Sequence, residues 1–246
     1  MGIKNKVGIV VRRPSAVIEK LLRMPVPGCL FSDRSAVRIY YRLRFKKAIN
    51  LKNPKSFNEK LLWLTLHDRR REYTRMADKS EAKNYMREIF LSRGLEADCI
   101  VPTIGIYDSF NEIDFGKLQE KFVIKTTHDL GGVLICNNKK EFDMKRARKL
   151  MTKNLSYNYY WFSREWAYKD IKPRIIVEKK IESTESVPKD YKIFCFNGTA
   201  KFWYITHDRG ADTKLDFYDM EWNKIAATQR YPSSDYEVEK PECWGE

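Results

Sequence analysis

The chain has 246 residues, a formal net charge of +14 and a pI near 9.5, and 43% of its residues are hydrophobic. That composition excludes global disorder and suffices for one large domain or two small lobes. No apolar run approaches the ~20 residues of a membrane span. Residues 7–11, Val-Gly-Ile-Val-Val, run straight into Arg12, Arg13 and Pro14, too short for a signal-peptide core. The expected location is therefore cytoplasmic. The excess positive charge favours acidic or phosphate-bearing partners, among which nucleic acid is not expected. Ten Lys or Arg between residues 12 and 47 suit peripheral contact with an anionic membrane at its inner face.

Five cysteines stand at 29, 99, 136, 195 and 243, an odd count without a C-x-x-C pair. Neither a disulfide framework nor a zinc site is expected. Cys136 and Cys195 sit in apolar strand-like runs and are expected as small core residues.

In chain order, residues 1–50 form a basic segment with a helix from Ser35 to Phe45. Residues 51–99 are helical. Ser56 and Glu59 have capping-box spacing, and Phe57, Leu61 and Leu64 then share one helix face. Asp78 and Glu81 repeat the spacing, placing Lys79 at a helix start, where a cation is disfavoured unless it meets an anion. Ala82, Tyr85, Met86, Ile89 and Phe90 form the stripe of that helix. Residues 100–172 bring strands near 100–107, 122–127 and 133–136, then a helix over 141–155. Residues 173–246 bring strands at 174–178 and 215–219, with a hairpin between them. In that hairpin Asn197-Gly198 supplies the two positive-φ positions of a type I′ turn. The order predicts an α+β fold with a mainly antiparallel sheet.

Four constellations are candidates for chemistry. Lys125 lies inside the strand Phe122-Val-Ile-Lys-Thr, where an unpaired charge is costly. Six residues on, Gly131-Gly132 lets backbone N–H groups approach an anion. The strand Arg174-Ile-Ile-Val ends in Glu178-Lys179, followed by Lys180 and Ile181. Asp190 and Lys192 share one strand face with Phe194. Arg209, after His207 and Asp208, suits bidentate capture of phosphate or carboxylate. Taken singly, each also fits an ordinary edge lysine, a strand leaving the core or a polar hairpin.

Their order resembles the ATP-grasp superfamily. Residues 53–60 (Asn-Pro-Lys-Ser-Phe-Asn-Glu-Lys), 76–79 (Met-Ala-Asp-Lys), 172–179 (Lys-Pro-Arg-Ile-Ile-Val-Glu-Lys) and 190–198 (Asp-Tyr-Lys-Ile-Phe-Cys-Phe-Asn-Gly) are similar to its teichuronopeptide-biosynthesis, TupA-like branch. That branch occurs in bacterial capsule and surface-polysaccharide gene sets, and its members are often labelled glycosyltransferases. The resemblance implies an ATP-grasp-like α+β fold, a helical region followed by two lobes around an ATP cleft. It implies that Lys79 and Lys125 meet the nucleotide phosphates and that Gly131 and Gly132 close over them. Glu178, with the backbone of Lys179 and Ile181, would hold adenine. Asp190 would sit at the ribose, Lys192 near phosphate or substrate, and Arg209 near the γ-phosphate. The implied reaction is ATP-dependent carboxylate–amine ligation through an acyl phosphate, with Mg2+ and an acidic sugar or amino-acid substrate. The family's magnesium ligands lie on Arg-Val-Asp and Gly-Glu-x-Thr strands that this chain does not contain. The C-terminal lobe is thus expected to be incomplete and the metal ligands missing.

Two alternatives remain. A polysaccharide glycosyltransferase would need a metal-binding Asp-x-Asp, for which Asp219-Met-Glu221 is the nearest candidate. A non-catalytic ATP-grasp remnant, or a basic membrane binder, would need no such site.

Overall fold

The computed structural model describes residues 29–182, 188–207, 213–227, 231–235, 237–241 and 244. The chain divides into two compact units, Met1–Lys180 and Ile181–Glu246. Among the described residues no helix is long and apolar enough to cross a membrane.

The first unit opens with helices α1 (Asp33–Phe45), α2 (Phe57–His67), α3 (Arg71–Ala77) and α4 (Glu81–Ser92). The expected capping box forms at α2. Ser56 accepts from the Glu59 amide at 3.3 Å. Glu59 accepts from the amides of Lys55 and Ser56 at 3.0 Å each and of Asn50 at 3.2 Å. These bonds, that from the Ser56 amide foremost, hold the Glu59 carboxyl at about 2, below its ordinary 4.5. A depressed carboxyl stabilises the fold fully above its unfolded value and loses that contribution as pH falls through the folded one. Glu59→Ala is therefore expected to lower the melting temperature by about 2–4 °C at neutral pH. The difference from wild type should fade between pH 4.5 and 2 in thermal scans.

The apolar stripe of α2 does not face a core: Phe57, Leu61 and Leu64 are all exposed. The second expected box does not form either. Asp78 is the C-cap of α3, its Oδ1 accepts from the Ser80 amide and hydroxyl at 2.9 and 2.6 Å, and α4 begins at Glu81 without a side-chain cap. Lys79 thus lies in the turn before the helix. No residue of α4 is fully buried, and Met86 of its expected stripe is exposed.

Strands β1 (Thr103–Tyr107), β2 (Phe122–Thr126), β3 (Val133–Cys136) and β4 (Ile175–Lys179) form an antiparallel sheet in the order β1-β4-β2-β3. Between β3 and β4 come α5 (Met144–Leu155), capped by Asp143, and α6 (Tyr159–Ser163). Strand alternation sorts β2 and β4 into two faces. Phe122, Ile124, Ile175 and Val177 point into a core closed by Ala147 and Met151 of α5, with Cys136 and Phe110. The opposite face carries Val123 and Lys125 of β2 beside Glu178 and Ile176 of β4, in direct register. β2 is an interior strand, so Lys125 is not an edge lysine.

The second unit is an antiparallel meander of β5 (Tyr191–Phe196), β6 (Thr199–His207), β7 (Lys214–Asp219) and β8 (Lys224–Ile225). Asn197 and Gly198 adopt φ of 50° and 79°, the expected hairpin turn. Its core packs Trp203, Ile205, Tyr218 and Val238 with Trp222 and Trp244. Cys136 is buried as expected, but Cys195 is exposed because β5 leaves that position uncovered.

Candidate nucleotide site

The sheet face opposite the core gathers the charged residues of the first unit. Glu178 is buried between two lysines: Lys125 Nζ lies 2.5 Å from Oε2 and Lys83 Nζ 2.5 Å from Oε1. Lys83 comes from α4 and also donates to the Val101 carbonyl at 2.6 Å and the Thr103 hydroxyl at 3.3 Å. The Glu178 carboxylate is thus the centre of a Lys125–Glu178–Lys83 ion triad.

Lys79 lies at the base of the loop joining β2 to β3. Its amide donates to the Thr127 carbonyl at 3.0 Å, and its Nζ donates to the Thr126 carbonyl at 2.7 Å and to the Asp129 carbonyl. Asp129 Oδ1 stands 3.7 Å away. Burial pushes the Lys79 pKa down and the ammonium of Lys125 adds to that; the Asp129 carboxylate opposes it. The two lysines therefore share one electrostatic neighbourhood.

The same loop is built for close approach. Thr127, His128 and Asp129 are buried, and Gly131 is exposed. Gly132 has φ of +66°, and a Cβ there would lie 2.1 Å from Asn154 Nδ2 and 2.9 Å from Thr126 Oγ1. Only glycine fits that backbone without displacing its neighbours. His128 Nε2 faces the carbonyls of Tyr157 at 2.8 Å and Asn154 at 3.1 Å, which makes it the protonated nitrogen. The buried Nδ1 is left without a hydrogen bond.

The sequence-predicted residues thus divide. Lys125, Gly131, Gly132 and Glu178 belong to one sheet and its loop, and Lys79, in the turn before α4, is bonded to that loop. The Lys179 amide donates to the Pro102 carbonyl at 3.0 Å, fixing the end of β4. Ile181, Asp190 and Lys192 belong to the second unit, where Ile181 is exposed and Asp190 and Lys192 form an ion pair with each other. Arg209 lies outside the described residues. Lys83 was not anticipated, although its place four residues after Lys79 was a usable signal. A cavity of about 510 Å³ among α1, α2 and α6, lined by Val37, Tyr40, Leu61 and Phe162, shares no residue with this cluster.

Two antiparallel four-stranded sheets, a preceding helical region and a lysine–carboxylate face beside a glycine loop define an α+β protein of ATP-grasp type. The chain belongs to the TupA-like ATP-grasp family, whose model, described as TupA-like ATPgrasp, matches residues 59–246. No curated protein and no solved structure matches it.

Proposed function

We propose that the chain binds ATP on the Lys125–Glu178 face of the first sheet. We further propose that it serves ATP-dependent carboxylate–amine ligation in bacterial surface-polysaccharide synthesis of the capsule or teichuronopeptide type. The observation that carries the nucleotide reading is the buried Glu178 carboxylate held between Lys125 and Lys83, with Lys79 bonded to the loop that leads from β2 to Gly131 and Gly132. In this reading Glu178 and the end of β4 at Lys179 take the adenine edge. Lys125 and Lys79 exchange their present partners, a carboxylate and two carbonyls, for phosphate oxygens. Gly131 and Gly132 admit those oxygens to the loop backbone. Bound ATP supplies the phosphoryl group that activates a carboxylate toward an amine.

For Ile181, Asp190, Lys192 and Arg209 the nucleotide role rests on the family alone, as do the ligase chemistry and the polysaccharide setting. Among the described residues no group of three or more His, Cys, Asp or Glu side chains could hold a metal ion. The net charge of +14 supports an acidic sugar or amino-acid substrate and peripheral contact with anionic membrane.

Calorimetric titration with ATP tests the reading. Wild type should bind, and Lys125→Ala should bind at least about tenfold more weakly, the loss of one charge-assisted contact. An alanine variant with wild-type affinity would remove Lys125 from the site.

A further inference from the structure

We propose that Lys83 is a positioning residue that holds the Glu178 carboxylate in place when Lys125 leaves it, and so sets a preference for adenine over guanine; this rests on the nucleotide reading above. Lys83 is held more firmly than Lys125. Its side chain is 15% exposed and its ammonium is tied to the Val101 carbonyl and the Thr103 hydroxyl as well as to Glu178. Those two oxygens belong to the backbone entering β1 and to its first residue, so the ammonium cannot follow a ligand out. Lys125 is 23% exposed, and among the described residues its ammonium pairs with Glu178.

The two lysines therefore have different work. When Lys125 turns to a phosphate, Glu178 Oε2 loses its counter-ion. A buried carboxylate left without one would hold Lys125 back or take up a proton. Lys83 remains on Oε1 and prevents both. An ionised carboxylate is an acceptor only, whereas a protonated one also donates. Adenine presents an exocyclic amino donor at the position where guanine presents a carbonyl acceptor. A charged Glu178 thus accepts from adenine and repels guanine, and a neutral one tolerates both. Selectivity for the base then depends on a lysine that touches neither base nor phosphate.

Calorimetric affinities for ATP and GTP in wild type, Lys83→Met, Lys83→Gln and Lys83→Arg decide the matter. Wild type should prefer ATP by about tenfold or more. Lys83→Met should weaken ATP binding and bring the two affinities within about threefold of each other. Lys83→Gln, which keeps a donor but no charge, should do the same and stands in if the methionine variant does not fold. Lys83→Arg should restore the preference. A merely structural lysine would lower both affinities together, and an unchanged ratio in the Met and Gln variants overturns the role of Lys83 alone. A wild-type protein that binds neither nucleotide overturns the proposed function and this role with it.

Discussion

Asp216→Ala should unfold the second unit. Asp216 is fully buried on β7, and Ser233, Ser234 and Lys224 turn hydroxyl and amide protons and a positive charge toward its carboxylate. Ser233 Oγ donates at 2.5 Å and the Ser234 amide at 2.9 Å, with the Ser234 hydroxyl closer still. Lys224 Nζ of β8 lies 2.9 Å away and His207 Nε2 of β6 3.0 Å away. Burial alone would raise the Asp216 pKa. The hydroxyls of Ser233 and Ser234, the Lys224 ammonium and the Ser234 amide outweigh it and hold the carboxyl far below the usual range. One side chain thus fastens β8 and the 233–234 segment to β7. Alanine leaves a lysine and two hydroxyls turned toward an empty site, at a cost of about 3–5 kcal/mol. A unit as small as residues 181–246 has little more stability than that to lose.

Tryptophan emission from Trp203, Trp222 and Trp244 during urea unfolding reads the result. A variant with the wild-type midpoint would contradict the account. Because the folded carboxyl titrates below its ordinary 3.8, its contribution is complete above that pH and is lost as pH falls below it.

Asp78→Ala should be the most damaging single change in the first unit. Asp78 is buried, turns the chain from α3 into α4, and pairs with Arg174 Nη2 at 3.2 Å through the oxygen not used by Ser80. Arg174 also donates to Ser80 Oγ at 2.8 Å and reaches Glu81 at 3.5 Å, so it anchors the start of α4 to the residue preceding β4. Removing the carboxylate frees the turn that places Lys79 and leaves Arg174 short of a counter-ion. We expect a loss of about 2–3 kcal/mol, or about 5–10 °C in melting temperature, together with weaker ATP binding. Asp78→Asn, which keeps one acceptor for Ser80, should lose less. Circular dichroism melts of the two variants check the order.

These two sites also mark where sequence reasoning stopped. The Asn197-Gly198 turn and the Ser56–Glu59 box were legible because every participant lies within a few residues. Lys125, Glu178 and the glycine pair were legible as a series once strand alternation and family phrasing were combined. The Asp78–Glu81 spacing looked identical to a capping box. One carboxylate oxygen turns to Ser80 and the other is claimed by Arg174, 96 positions along the chain, which no local pattern reveals. The stripe Phe57-Leu61-Leu64 has helical period but stays exposed, since period alone does not say which face is covered. Lys83 was missed because a helix lysine beside exposed positions looks like solvated charge until β4 places Glu178 opposite it.

The way α4 is attached has a wider consequence. The helix contributes no fully buried residue, Ala82, Tyr85, Ile89 and Phe90 being only half-buried, and the named ties that fix its start are polar: Lys83 to Glu178, the Asp78–Ser80 turn and Glu81 to Arg174, and Lys79 to the β2 carbonyl end. Helix α5, on the other side of the same sheet, is fastened by Ala147 and Met151 in an apolar core. Ionic strength acts on the first kind of attachment and hardly on the second. The first unit therefore has a hard side and a soft side. Its least cooperative part is the one that carries the lysines, so local opening is spent where a ligand must enter.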